Sequence, residues 1–277
     1  MTGSGVRDWD AGTYDRVSEP QFSWALEQLD RLALRGDEVV LDAGCGTGRV
    51  TALLAERLPH GRVYGVDASP AMAQHATKAL GDRARILTQD LVQLDLPEPV
   101  DAVFSNATFH WIHDHAALFD ALHKAMKPGA RLVAQCGGVG NIEAFRRAAA
   151  SVAGEEPFDH FFVDWQEPWN YADERDTARR LEQAAFKGVN TWLEPKRVEP
   201  DRAFVETVCL LPYLKRLSAD IGPVFVDRVL KRAGEPLVLE YVRLNMNAQA
   251  GLGSTGLADD LKRVVPGWNA GDILWFN

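Results

Sequence analysis

Apolar residues recur at helical spacing in FSWALEQLDRLAL, from Phe22 to Leu34, and Gly36 then closes the segment. The pattern changes at once to an apolar run, Val39-Val40-Leu41, which stops at Asp42 and is followed by Gly44, Gly46 and Gly48. Beyond these glycines Val50, Leu53, Leu54 and Leu58 return to helical spacing. The order predicts a strand, a tight glycine loop and a helix from about Thr47 to Leu58, with the loop backbone free to approach something closely.

The same alternation continues. RVYGVD (Arg62 to Asp67) reads as a second strand, and SPAMAQHATKAL reads as a helix with Ser69 at the cap and Pro70 at the first helical position. RARILTQD and DAVFSNA read as strands three and four, HAALFDALHKAM as a helix stopped by Pro128-Gly129, and ARLVAQC as a fifth strand. Strands alternating with helices predict a doubly wound α/β fold, its parallel sheet covered on both faces. After Gly140 the rhythm breaks. Asn141–Val152 reads as a helix, and the next segment gathers Phe158, Phe161, Phe162, Trp165, Trp169 and Tyr171 around prolines. Thr177–Phe186 reads as helical, Val189–Leu193 and Leu237–Met246 as strands, and helices fill Arg202–Arg232. The expected division is an N-terminal arm and helix over 1–36, a core over 37–136, a helical and aromatic lid insertion with a sixth strand over 137–235, a final strand over 236–247, and a tail over 248–277 that ends in Trp275-Phe276 and has no assigned purpose.

Composition narrows the class. With 277 residues and 46% hydrophobic composition the chain can bury a full core. No run reaches the roughly 18–20 apolar residues of a membrane helix, and MTGSGVRDWD has no apolar signal core, so a soluble cytoplasmic protein is expected. Three cysteines without a C-x-x-C pair fit reduced thiols. A formal charge of −9 argues against a nucleic-acid partner.

The glycine loop restricts its ligand. A nucleotide P-loop needs a lysine after the last glycine, and none follows Gly48. The dinucleotide fingerprint would place its third glycine where Arg49 stands. Asp67 ends the second strand about twenty residues on, where it can take two ribose hydroxyls. Asp90 ends strand three, placed to accept from an adenine amino group. Asn106 and the carbonyls after strand four, with Asp42 beside the loop, offer acceptors for an amino-acid ammonium. An adenosine carrying an amino acid and a positive sulfur fits these acceptors better than a pyrophosphate does.

At these residues the chain resembles the class I S-adenosylmethionine-dependent methyltransferases. WDAGTYDRVSE and NATFHWIHDHAALFDALHKAMKPGARLVAQ are similar to the trans-aconitate methyltransferase group. The resemblance implies a Rossmann-like sheet of seven mainly parallel strands, the last antiparallel, which matches the two late strands. It implies S-adenosyl-L-methionine as cofactor, held by Gly44, Cys45, Gly46 and Gly48, by Asp42, Asp67 and Asp90 with Ala68, Met72 and Leu91 beside them, and by Asn106. Trp9 and Tyr14 would help to cover the methionine end. Cys45 would be small filler beneath the cofactor.

The resemblance weakens across Gly137–Tyr171, where such proteins build the acceptor pocket. Asn106-Ala107-Thr108-Phe109 lacks the prolines of the amino-group methylases of DNA and protein glutamine. A small-molecule acceptor is expected, with methylation of a carboxylate or hydroxyl oxygen as the first reading. Carbon methylation of an apolar, prenyl-type substrate is the alternative, and a non-catalytic cofactor-binding module is the rival class. A carboxylate needs no general base, whereas most other acceptors do. His110 is the leading candidate as base or orienting donor, with a purely hydrogen-bonded wall residue as the other reading. Asp164 and Glu167 are further base candidates, if they are not simply solvated loop acids. Trp111 is expected to pack under the following helix. The aromatic segment can form an acceptor pocket or a mini-core, and Arg146 and Arg147 an anion site or a polar helix face. His110, His113, Asp114 and His115 invite a metal, but the resemblance puts His113 and His115 at a helix start pointing away from His110, with Asp114 as its cap, so no metal is expected.

Overall fold

The computed structural model describes Gly12, Asp15 and residues 18–252. One sheet of seven strands organises them in the order β3-β2-β1-β4-β5-β7-β6. The strands are β1 (Val39–Ala43), β2 (Arg62–Asp67), β3 (Arg85–Thr88), β4 (Val100–Asn106), β5 (Met126–Gly137), β6 (Phe186–Val198) and β7 (Leu239–Ala250). β7 runs antiparallel to both β5 and β6, while the β1–β5 pairings are parallel. All five residues of β1 are buried, as a central parallel strand covered on both faces requires.

The longer helices are α1 (Glu19–Leu29), α2 (Arg49–Glu56), α3 (Pro70–Leu80), α4 (His115–Ala125), α5 (Glu143–Ala153), α6 (Glu174–Gln183) and α7 (Ile221–Ala233). Their starts follow the sequence chemistry. Ser69 accepts from the Met72 amide at 3.3 Å with Pro70 at the first position of α3, and Asp114 accepts from the Ala117 amide at 2.9 Å to open α4. On one face Leu41, Val103, Leu132 and Met246 meet Leu118, Phe119 and Leu122 of α4 and Leu181 of α6. On the other, Val40, Phe104 and Val133 meet Ala25 and Leu29 of α1 and Leu54 of α2. A third cluster stands beyond the strand tips: Phe145 and Val152 of α5, Phe158, Tyr213, Phe225 and Val229 of α7, and Tyr241.

Three boundaries differ from the sequence reading. β5 begins at Met126, paired with Val100, so Pro128-Gly129 lie inside an irregular strand start rather than between elements. β6 spans Phe186–Val198 because antiparallel pairing with β7 extends it in both directions, which takes Phe186 from the expected helix. β7 reaches Ala250, three residues past the expected end of the final strand. Trp275 and Phe276 lie outside the described residues. Among those described, no helix is long and apolar enough to cross a membrane.

The sheet order places the functional cleft. From β1 the chain winds outward to β2 and β3, then returns to β4 on the other side of β1. Helices therefore diverge at the β1/β4 boundary and leave a crevice at the carboxyl ends of these strands.

Candidate active site

A cavity of about 670 Å³ fills that crevice. The glycine loop forms its floor and is tied to β2, since the Gly44 and Cys45 amides both donate to the Val66 carbonyl at 2.7 and 3.0 Å. Gly44 has φ +83°, and a Cβ there would lie 2.1 Å from Thr108 Oγ1. Gly46 meets nothing within 4 Å at that position, so its backbone is bare toward the cavity. Gly48 does not line the cavity. Its missing side chain lets α2 pack on α3, where a Cβ would come within 3.0 Å of Ala76 and 2.9 Å of Leu80. The cofactor-binding role expected of Gly48 is thus corrected to a packing role. Cys45 is also off the main wall, buried beside Ala76 and Leu80, and burial holds its thiol well above the ordinary range. It borders the smaller cavity instead.

Asp67 accepts from the amides of Gly46 and Ser69, both at 2.9 Å, which fixes its carboxylate at the loop. Burial raises its pKa, and the two amide bonds oppose the rise. Asp90 accepts from the Val92 amide at 3.1 Å and lines the cavity with Ala68, Met72 and Leu91. Asp42 lies lower. Its Oδ2 accepts from Thr51 Oγ1 at 2.7 Å, and it borders a smaller cavity of about 70 Å³ shared with Gln21, Gly44, Gly46 and Asn106. Burial pushes the Asp42 carboxyl up to about 7 despite the Thr51 hydroxyl, and Asp67 adds to the rise. Asp42 was expected to bring negative charge to the loop; its burial favours the protonated carboxyl.

Asn106 joins the two cavities. Its Oδ1 accepts from Gln28 Nε2 at 3.2 Å and its Nδ2 donates to the Gln21 carbonyl at 2.9 Å, so α1 sets its orientation. Gln21 lines both cavities, and its buried Oε1 has no hydrogen-bond partner. Trp9 and Tyr14 lie outside the described residues.

The opposite end of the cavity is different in kind. His110 is buried and lines it, and the ring accepts from the Gly137 amide through Nδ1 at 3.3 Å. Tyr171 stacks on His110 at 5.7 Å, Trp169 stacks on Tyr171 at 6.0 Å, and Trp111 tilts against Trp169 at 5.8 Å. Trp111 therefore faces the cavity rather than packing under α4. Arg243 of β7, 2% exposed, also lines this end and donates from Nε to Gln135 Oε1 at 3.1 Å. The aromatic segment divides its labour: Trp169 and Tyr171 face the cavity, while Phe158, Phe162 and Trp165 pack with Tyr213 and Phe225.

Asp164 and Glu167 are not on the wall. Asp164 is exposed in a left-handed turn with φ 61°, and Glu167 is held in an ion pair by Arg146. Their expected base role is corrected accordingly. Arg147 pairs with Glu143 at 3.2 Å on the surface of α5. His115 is buried with Nε2 on the Phe109 carbonyl at 3.0 Å, and no set of three metal-ligating side chains converges among the described residues.

A methyltransferase-domain family model matches residues 40–129, the stretch that carries the glycine loop, Asp67, Asp90 and Asn106. Over this stretch the chain is similar to methyltransferase domains. It is 35% identical over 154 residues to the trans-aconitate 2-methyltransferase of Methylobacterium nodulans, covering 55% of this chain and 58% of that one. It is 37% identical over 130 residues to the Escherichia coli enzyme of the same name, covering 47% and 51%. The chain thus spans little more than half the length of these relatives. In fold it is similar to the phosphoethanolamine N-methyltransferase 2 of Haemonchus contortus in complex with phosphomonomethylethanolamine and S-adenosylhomocysteine, with TM-score 0.59 and 18% identity over 87% of this chain and 57% of that one.

The residues present fit the cofactor of a class I methyltransferase. Bare backbone at Gly46 admits close approach, Asp67 and Asp90 offer the cavity carboxylate acceptors, and Gln21 in its wall has a buried oxygen without a hydrogen-bond partner. Sequence reading missed Gln21, Asn141 and Arg243. Arg243 left a signal, since an arginine inside LEYVRLNMN stands where a strand covered on both faces should be apolar. Gln21 and Asn141 gave none.

Proposed function

We propose that this protein methylates the carboxylate of a small organic acid. S-adenosylmethionine, when bound, supplies a methyl group on a positively charged sulfur. The observation that carries the reading is the bond from the Gly137 amide to His110 Nδ1. A nitrogen that accepts a hydrogen bond carries no proton, so the neutral ring bears its proton on Nε2. In that tautomer His110 is a donor, not a base. The carboxylates on the cavity wall, Asp67, Asp90 and Asp114, all belong to the nucleoside side, where α4 begins beside Leu91. Glu167, the acid beside Trp169, is off the wall and paired with Arg146. A carboxylate arrives ionised and needs no group to take a proton. The names of the trans-aconitate 2-methyltransferases support an acid as acceptor.

In this reading Gly44 and Gly46 let the backbone approach the cofactor, Asp67 and Asp90 accept from its ribose and adenine, and the side chains of Gln21 and Asn106 face its ammonium. Arg243 and the Nε2–H of His110 orient the acceptor carboxylate. β7 stands one strand beyond β5 and two from β4, and the Arg243 guanidinium reaches back over Gln135 toward the β4 tip. Trp111, Trp169 and Tyr171 exclude water, which leaves the carboxylate poorly solvated and more nucleophilic. Holding the partners in line can contribute up to ~7–11 kcal/mol to the rate. The test is a panel of acids, phenols, amines and carbon nucleophiles incubated with S-adenosylmethionine, with products read by mass spectrometry. Base-labile methyl esters are expected. Transfer to phenols or carbon with every acid ignored would overturn the reading, as would tight cofactor binding with transfer to nothing.

A further inference from the structure

The smaller cavity is a seam between two elements. Ser18, Gln21 and Phe22 border it from the start of α1, and Gly46, Thr47 and Arg49 from the glycine loop and the start of α2. Helix α1 is anchored unevenly along its length. Ala25 and Leu29, in its later turns, are buried against Val40 and Phe104 of the sheet. Its first turn has no side-chain cap, because Ser18 makes no capping hydrogen bond, and Glu19 is mostly exposed. An uncapped first turn opens more readily than the body of a helix unless side chains hold it from outside. Arg49 supplies that hold. Its Nη2 donates to Glu19 Oε2 at 2.7 Å, and its guanidinium lies 3.7 Å over the ring of Phe22. Just ahead of the helix, Thr47 Oγ1 donates to Asp15 Oδ1 at 3.0 Å. The turn so fastened carries part of the site: Gln21 lines both cavities, and its carbonyl accepts from Asn106 Nδ2 at 2.9 Å.

From these contacts we infer that Arg49 is a positioning residue, which fastens the first turn of α1 to the glycine loop and so slows the escape of the bound S-adenosyl nucleoside. The inference rests on the reading of the cavity as an S-adenosylmethionine site and adds the element that keeps it closed. Arg49 is not on the wall of the larger cavity, so it acts through Gln21 and Asn106. Its place in the chain is the one where the dinucleotide fingerprint has a third glycine for close helix–strand packing. Here Gly48 provides the close packing, against Ala76 and Leu80, and the side chain at 49 is free to reach α1. A guanidinium can pair with a carboxylate at its edge while its face lies on a ring, which an ammonium cannot do equally well. Each contact alone is modest on an open surface. Acting on one turn, the two together bias it toward the closed position.

The experiment uses the full chain. Dissociation of S-adenosylhomocysteine is followed by stopped-flow tryptophan fluorescence, and hydrogen exchange of the unliganded protein by mass spectrometry. R49M removes both contacts and is expected to raise the dissociation rate about five- to tenfold. The KM for S-adenosylmethionine should rise by a similar factor while kcat does not fall. Exchange should quicken in peptides covering residues 19–22 and stay unchanged in β1 and β4. R49K keeps the ion pair and should fall between R49M and the parent. F22Y keeps the ring and should dissociate within about twofold of the parent rate, whereas F22L should dissociate faster. Adding F22L to R49M should cost less than the two single changes combined, because both break one contact. If R49M does not fold, R49K and F22L give the same comparison. A dissociation rate in R49M within twofold of the parent, or unchanged exchange over 19–22, overturns this inference and leaves the proposed reaction standing. A parent protein that binds no S-adenosylhomocysteine overturns the proposed reaction and this inference with it.

Discussion

The Gly137 amide, at the end of β5, donates to Nδ1 of His110, in the turn after β4, at 3.3 Å. Strand pairing sets the position of this amide, so the backbone selects the imidazole tautomer that the cavity meets. A donor at Nε2 predicts an uncommon substitution pattern. Glutamine places an amide N–H near the same point and should keep activity within a few-fold. Alanine should lower kcat/KM by about 10–100-fold, the range of a lost hydrogen bond to a charged group. Steady-state rates of methyl-ester formation check this. H110Q as inactive as H110A would return His110 to the role of base.

Gly44 and Gly46 lie two residues apart and should fail in different ways. A methyl on Gly44 collides with Thr108 and must also hold φ +83°, so G44A should lose about 2–4 kcal/mol of stability. A methyl on Gly46 meets no protein atom within 4 Å. G46A should lose only about 1 kcal/mol from its positive φ, yet bind S-adenosylhomocysteine at least about tenfold more weakly. Thermal melts and calorimetry on both variants separate stability from binding.

Asp42 makes stability depend on pH. Its carboxyl is raised from an ordinary 3.8 to about 7 by burial. Between those values the unfolded chain releases this proton while the folded chain keeps it. Its contribution to stability is therefore complete below pH about 4 and lost as pH rises to about 7. Asparagine cannot ionise and can still accept from Thr51. D42N should gain roughly 2–4 kcal/mol relative to the parent between pH 4 and pH 8. Urea midpoints at the two pH values measure it, and a difference that does not change with pH would contradict the raised carboxyl.

Asp164 and Glu167 should be dispensable for the chemistry. Asn tolerates the left-handed turn at Asp164, so D164N should stay within about twofold of the parent rate. E167Q removes the charge opposite Arg146 and should lower stability by about 1 kcal/mol while raising KM more than it lowers kcat. A loss of more than tenfold in kcat for either variant would show a base that the cavity wall does not contain.

The glycine-loop end of the cavity was legible in the sequence because its pattern is local. The apolar strand, the glycines and an acid at the next strand end lie within one strand–helix–strand unit, where backbone connectivity alone fixes their relative positions. Seven strands, the last antiparallel, followed from alternation and family resemblance, whereas their order came from the structure. Gly48 shows where such reading blurs, since a glycine that opens a loop and one that admits a neighbouring helix look alike until Ala76 and Leu80 are seen against it. Asp42 shows a second limit, because the charge on a carboxyl depends on burial that sequence does not record.

The aromatic end of the cavity was decided by tertiary structure. Arg243 lies more than a hundred residues from Gln135, which it contacts through antiparallel pairing of β7 with β5. Trp169 and Tyr171 were separable from Phe158, Phe162 and Trp165 only once α5 and α7 claimed the latter for their core. A local pattern fixes what a segment becomes. Which of its side chains meets a ligand depends on long-range packing, and the same aromatic residue serves as core or as wall according to what covers it.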